Sequence, residues 1–289
     1  MIVTLYSACC SGNYDHVVLL LEKNANVNTK YADNKTCLRI ACEKNCFNIA
    51  KLLIEKGAHV NDVCNNNMTS LHYACRNGYI EIAKLLIENG ANDVDDCLYY
   101  ACKNGNIDVI ELLLKNNADV NDKDNYEHTN LCYALERNDI HIVRLLLDHG
   151  ADVNIKCYGN NTHLHIACAM CNIDIVKSLV HHGASLNKLN NIGETCLHIA
   201  CQRKKNTDMV NFLISKGGDI HCKSYIGSTC LDYAHASNCR EMINLIKTIV
   251  NYAHNNKHNE IHTKSGNYCG NYYDNNKKSV IRRRILLKS

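Results

Sequence analysis

Along most of the chain, apolar residues recur three and four positions apart in short runs, each closed by a small residue and followed by a polar stretch. In Ile80-Glu81-Ile82-Ala83-Lys84-Leu85-Leu86-Ile87 they line one face of a 3.6-residue turn, which predicts a helix packed on one side. The segment before it, Thr69-Ser70-Leu71-His72-Tyr73-Ala74-Cys75-Arg76-Asn77-Gly78, is a shorter helix whose Ala-Cys pair lets a neighbour approach closely. Glycine ends the second helix at Gly57, Gly90, Gly150 and Gly183, and Asn24 or Asn117 stands there in two other copies. Both residue types tolerate the left-handed conformation that stops a helix. A polar run rich in turn formers, such as Asp119-Val120-Asn121-Asp122-Lys123-Asp124, then reverses the chain. Thr36, Thr69, Thr129, Thr162, Thr195 and Thr229 open the next helix by accepting from its unpaired N–H groups.

The pattern has a fixed period. Thr195-Cys196-Leu197-His198-Ile199-Ala200-Cys201 repeats Thr162-His163-Leu164-His165-Ile166-Ala167-Cys168, 33 residues earlier. The motif leucines are Leu5, Leu38, Leu71, Leu98, Leu131, Leu164, Leu197 and Leu231, in steps of 33, 33, 27, 33, 33, 33 and 34. A period of this length marks stacked helical hairpins, none of which can bury its apolar face alone.

T-x-L-H-x-A, an ending such as Gly150-Ala151-Asp152-Val153-Asn154 and a 33-residue helix-turn-helix-loop period resemble ankyrin repeats. The resemblance implies an all-α repeat solenoid of about eight stacked units over residues 1–252, with repeats near 1–35, 36–68, 69–96, 97–128, 129–161, 162–194, 195–228 and 229–252. Residues 253–289 read as a flexible basic tail. Where the family usually has proline after the threonine, this chain has Cys37, Ser70, Asn130, His163, Cys196 or Cys230. That substitution predicts a modest loss of rigidity at the helix start. The step of 27 shortens the loop after Ala91, so the finger at residues 92–96 is expected to be stunted or absent. Residues 203–207 replace the usual glycine turn and add one residue.

No run approaches the roughly 18 to 20 apolar residues of a membrane helix, and residues 1–10 lack the pattern of a secretory signal. The expected address is the cytoplasm, the host's if the protein is viral, with the nucleus reachable through the basic tail, and the expected state is a monomer. The net charge of +3 is uneven, because residues 253–289 carry eight Lys or Arg and two acids. The tail therefore holds +6 and the body −3. Of 19 cysteines, six follow an alanine at one repeat position: Cys9, Cys42, Cys75, Cys102, Cys168 and Cys201. Buried reduced thiols account for them better than a disulfide scaffold does. The chain has no proline or tryptophan and abundant Asn, Ile and Lys. That wording is similar to ankyrin proteins of large DNA viruses, poxviruses or giant viruses, although AT-rich coding sequence produces the same bias. Many poxviral members end in an F-box-like segment that recruits ubiquitin ligase, and this tail lacks its usual Leu-Pro opening.

Candidate chemistry dissolves into the repeat. In the family the histidine at His72, His165 and His198 resembles a structural hydrogen-bonder. Cys168-x-x-Cys171 with His181-His182 has the residue types for zinc, yet each falls at a position that the repeat explains separately. No phosphate loop, zinc-protease helix or nucleophile elbow is present. The expectation is a non-catalytic protein without cofactor, metal or small-molecule substrate, binding a partner protein as an adaptor or decoy.

The resemblance places that partner on the concave face. Carried onto this chain, the contacting residues are Lys44, Arg76, Lys103, Arg137, Met170 and Arg203 at the helix ends, with Tyr31, Tyr126, Tyr158, Ile192 and Tyr225 at the loop tips. The five cations form a basic row on an acidic body, and exposed tyrosines suit interface anchors. The alternative is a tail-driven binder of nucleic acid or anionic membrane, through Lys277, Lys278, Arg282, Arg283 and Arg284.

Overall fold

The computed structural model describes residues 4–124, 126–203 and 206–262. The chain divides into two compact units, Met1–Asp152 and Val153–Ser289. The first holds five helix pairs: α1 (Leu5–Cys10) with α2 (Tyr14–Glu22), α3 (Cys37–Glu43) with α4 (Phe47–Glu55), α5 (Ser70–Asn77) with α6 (Ile80–Glu88), α7 (Val94–Asn104) with α8 (Ile107–Lys115), and α9 (Asn130–Glu136) with α10 (Ile140–Asp148). The second holds α11 (His163–Met170) with α12 (Ile173–His181), α13 (Cys196–Gln202) with α14 (Thr207–Ser215), and α15 (Cys230–Ala236) with α16 (Arg240–His262). Within each unit the first helices of successive pairs pack side by side in chain order. Among the described residues the architecture is all-α, with isolated antiparallel bridges such as Lys123–Thr129 pinching the loops.

The core lies where the repeat pattern places it. Leu38, Leu71, Leu98, Leu131, Leu164 and Leu197 are buried, as are the pairs that follow them in the motif, Ala41-Cys42, Ala74-Cys75, Ala101-Cys102, Ala134-Leu135, Ala167-Cys168 and Ala200-Cys201. These cysteines are free thiols, and burial pushes Cys42 up to about 12, far from the reactive thiolate. The cysteines at the usual proline site are also buried. Cys37 meets Cys9, Cys97 meets Cys75, Cys196 meets Cys168 and Cys230 meets Cys201, each pair joining neighbouring repeats through their sulfurs. At three repeats the same site also reaches back ten residues to a loop carbonyl. Asn130 Nδ2 donates to Val120 O at 3.2 Å, His163 Nδ1 to Val153 O at 3.1 Å and Cys196 Sγ to Leu186 O at 3.2 Å. Proline's rigidity is thus replaced by contacts.

Every threonine expected to open a helix is its N-cap, and Thr4 does the same for α1. At Thr69, Thr162 and Thr195 the third helical residue is histidine, which closes a capping box. The Thr195 N–H donates to His198 Nδ1 at 3.1 Å, so the ring proton sits on Nε2. From there it donates to the Cys222 carbonyl at 3.1 Å, 24 residues on. His165 repeats the arrangement with Glu194 O at 3.0 Å. These histidines fasten a helix start to the following loop, as the resemblance implies.

Asparagine, which looked like a compositional bias, has a fixed task. Asn28 Nδ2 donates to the Gly57 carbonyl and its Oδ1 accepts from the His59 N–H, both at 2.9 Å. Asn121 bridges Gly150 and Asp152 in the same way, Asn154 bridges Gly183 and Ser185, and Asn187 bridges Gly217 and Asp219. Each carbonyl belongs to the left-handed glycine that stops a second helix, where φ is +83° at Gly57 and +87° at Gly150.

Two departures stand out. The short loop leaves no finger between the third and fourth repeats: α7 starts at Val94 and, at 11 residues, exceeds the other first helices of its unit. There Asp95 Oδ1 accepts from the Asp119 N–H in place of an asparagine. The last helix, α16, runs to His262, past the boundary expected at residue 252. No glycine or proline lies between Cys239 and His262 to stop it.

Burial holds the imidazoles of His72, His165 and His198 below their ordinary value of 6.5. Below that value the unfolded chain takes up protons that the buried rings refuse, so stability is full above about pH 7 and falls with pH until the buried rings protonate. The slope is at most about 1.4 kcal/mol per pH unit for each ring. Urea unfolding from pH 7.5 to 5 is expected to show this loss. Glutamine at all three positions keeps the capping box and should flatten the profile; an unchanged slope would reject the assignment.

Candidate functional site

In the first unit the first helices α3, α5, α7 and α9 end in Lys44, Arg76, Lys103 and Arg137, all exposed. A cation is favoured at a helix C-terminus, where the carbonyls are unpaired. That alone would leave four mobile side chains. Two are instead fixed across the repeat. Lys103 Nζ donates to the Tyr99 hydroxyl at 3.2 Å and lies 5.4 and 5.6 Å from the ring centroids of Tyr99 and Tyr133. Arg137 Nη1 donates to the Lys103 carbonyl at 3.3 Å, and its guanidinium crosses Gly105. Gly105 is left-handed at φ +81°, and a Cβ there would lie 2.4 Å from Arg137 Nη2.

None of the four is in an ion pair among the described residues, as is also true of Lys23, Lys51, Lys56 and Arg144, whereas Lys30, Lys35, Arg39, Lys84, Lys115 and Lys123 of the same unit each meet a carboxylate. Behind the row runs an aromatic band that sequence reasoning missed. Tyr99 packs on Tyr100 at 4.5 Å and on Tyr133 at 4.7 Å, and Tyr100 meets His72 edge-on at 5.6 Å. Tyr73, Tyr100 and Tyr133 share the motif position two residues after the leucine, where other repeats carry Ile40, Ile166 or Ile199. That periodicity was the available signal. Tyr133 also donates to Asp124 Oδ2, and both burial and this bond push its hydroxyl pKa far up, so the ring stays neutral.

Arg39 was missed for a different reason. It occupies the histidine position of the motif, and there it is 7% exposed, stacked 4.2 Å over Tyr73 and 3.0 Å from Glu43. Its Nε and Nη1 find no hydrogen-bond partner. A position read as loop fastening instead holds a buried charge.

Of the loop residues in this unit, Tyr126 is 77% exposed. Tyr31 is not a free tip, since its ring stacks on Tyr6 at 4.5 Å and is half-buried. In the second unit Met170 ends α11 and Arg203 caps α13, both exposed. Tyr158, Ile192 and Tyr225 are exposed at 81%, 58% and 69%. Ile192 and Tyr225 are joined by a backbone bond of 3.1 Å, and Gly193 leaves room for the close approach. Cys168 is buried beside Cys196 while Cys171 sits on an exposed left-handed turn, its sulfur accepting from Asn206 at 3.3 Å. His182 bonds to the Ser178 carbonyl. Lys277, Lys278, Arg282, Arg283 and Arg284, together with residues 204 and 205, lie outside the described residues. No described helix is long and apolar enough to cross a membrane.

A family model of three ankyrin repeats matches residues 5–97, 98–190 and 164–259. Among solved structures, the ankyrin repeat domain of human ASB11 is 28% identical with a TM-score of 0.66, covering 75% of this chain and 99% of that one. The ankyrin repeat domain of Bcl-3, a member of the IκB family, is 25% identical with a TM-score of 0.65, covering 74% and 98%. No curated protein sequence matches.

Gly105→Ala is expected to cost about 1–2 kcal/mol, from the left-handed backbone and the displaced guanidinium together. In an Arg137→Ala background the cost should drop toward the backbone part alone. Equal losses in both backgrounds, by urea denaturation, would show that Arg137 does not cross the glycine.

Proposed function

Because the chain belongs to the ankyrin-repeat family, we propose that it is a non-catalytic protein-binding module, an adaptor or decoy whose partner lies along the ends of the first helices and the adjoining loops. The observation that carries this reading is the set of exposed cations at four successive helix ends of the first unit, two of them packed in place. Preorganised side chains lose less freedom when a partner binds. In the second unit, Met170, Arg203, Tyr158, Ile192 and Tyr225 would add exposed apolar and cationic contacts. The decoy form rests on the likeness of this Asn-, Ile- and Lys-rich wording to viral ankyrin proteins.

The reading predicts that full-length protein carrying Arg76→Glu, Lys103→Glu and Arg137→Glu loses partner affinity by about tenfold or more, since three repelled contacts together exceed about 1.4 kcal/mol. Amine cross-linking in the native cell should join partner peptides to Lys44 and Lys103. Replacing Lys277, Lys278, Arg282, Arg283 and Arg284 by alanine should leave capture intact. Capture that follows the tail, falls steeply with salt and ignores the helix-end variants would favour binding of nucleic acid or an anionic surface instead.

A further inference from the structure

The sulfur of Cys64 occupies a finger position that two other repeats fill with an oxygen acceptor. In one of them Asp124 stands there, its Oδ1 accepting from the Tyr126 N–H at 2.8 Å and the His128 N–H at 2.9 Å, and its Oδ2 from the Tyr133 hydroxyl. In the second unit Asn190 fills the position, and its Oδ1 accepts from the Ile192 and Glu194 N–H groups at 3.1 and 2.9 Å. Cys64 meets the donors of Asp124 in the same register: the N–H groups of Asn66 and Met68, and the Tyr73 hydroxyl 3.8 Å from Sγ. A neutral thiol accepts weakly, whereas a thiolate carries the charge that makes a carboxylate a strong acceptor.

A cation completes the surroundings. Arg39 is 7% exposed, its guanidinium lies 4.2 Å over the Tyr73 ring, and its Nε and Nη1 have no partner. Of the carboxylates on the adjoining segments, Glu43 is 3.0 Å from Arg39 Nη2 and Asp62 is 3.1 Å from Lys30 Nζ. Burial raises the Cys64 thiol, but the two N–H groups, the Tyr73 hydroxyl and the Arg39 charge together bring it below its ordinary value. Burial pushes Cys42, Cys102 and Cys222 up instead.

We propose that Cys64 is a modification site, at which a small hydroperoxide oxidises the thiol to a sulfenic acid, with Arg39 and Tyr73 as positioning residues. The thiolate sulfur attacks the nearer oxygen of hydrogen peroxide. An S–O bond forms as the O–O bond breaks, and two electrons pass from sulfur to the peroxide. The distal oxygen leaves as hydroxide and takes up a proton in place of the one that the thiol released, so thiol and peroxide become sulfenic acid and water. The free N–H groups of Arg39 are the donors at hand for the departing hydroxide and for the new sulfenate oxygen. Size restricts the oxidant, because Cys64, Met68 and Tyr73 are all buried. The flanking Val63, Asn65, Asn66 and Asn67 are exposed, so the sulfur lies just beneath a loop tip. The site does not depend on the protein-binding reading.

The test treats full-length protein with limiting hydrogen peroxide in the presence of dimedone, which traps sulfenic acids, and quantifies labelled peptides by mass spectrometry. The exposed Cys10 and Cys171 serve as internal references. Initial labelling of Cys64 should exceed that of Cys10 about tenfold, within the limit set by the few per cent of thiolate that an ordinary cysteine carries at about pH 7. Arg39→Met and Tyr73→Phe should each lower the Cys64 rate toward that of Cys10, and Arg39→Lys should restore part of it. In the unsubstituted protein, where folding is not in question, the Cys64 rate should level off at a lower pH than the Cys10 rate. Labelling of Cys64 no faster than of Cys10, or levelling off at the same pH, would overturn the site. A Cys64 rate unmoved by Arg39→Met would overturn the part given to the guanidinium. A Cys64 rate that climbs in sub-denaturing urea would assign the reaction to an opened finger and overturn the folded site as well.

Discussion

An asparagine side chain carries a primary amide that can both donate to a carbonyl and accept from an N–H in one plane, and within each unit successive loops are joined by that property. Asn28, Asn121, Asn154 and Asn187 each take the exposed carbonyl of a helix-ending glycine and an N–H two residues beyond it. The left-handed glycine turns its carbonyl outward, the asparagine meets it, and one hairpin is indexed against the next. Aspartate keeps only the accepting half. Where Asp95 stands in for asparagine, the loop linkage is one-sided, and the longer α7 supplies helix packing in its place.

The fold was legible because each repeat states the same rules in the same register. Leucine, Ala-Cys, threonine and the glycine stop occur at fixed offsets, and each answers to burial, close approach, capping or a left-handed turn. The extent of α16 was less legible, since the apolar stripe fades near Tyr252 although no residue before His262 breaks the helix. The asparagines were hidden by abundance: a residue that is common everywhere carries little signal at the positions where it is required.

The candidate surface was legible in its cations and only partly in its aromatics. Lys44, Arg76, Lys103 and Arg137 could be located from the helix ends, because the repeat gives their positions directly. Their environment could not, because it depends on contacts between repeats: Lys103 against Tyr99 and Tyr133, and Arg137 across Gly105. Tyr31 shows the converse, since a tyrosine expected at a loop tip is covered by Tyr6. Arg39 shows that a motif position does not dictate one chemistry. Stacked on Tyr73 and paired with Glu43, a guanidinium replaces the neutral imidazole found in three other repeats.

The missing finger between the third and fourth repeats bears on more than local shape. A strictly periodic receptor offers a periodic ligand several equivalent alignments, each displaced by one repeat, and cannot tell the ligand's two directions apart by spacing alone. Removing one finger and lengthening α7 breaks that translational symmetry inside the row of cations. A partner lying along the row would meet fingers on either side of the gap and an open helix flank at it, so the gap marks one alignment among the repeats. In a stack built by copying, the deletion supplies an origin from which position can be measured.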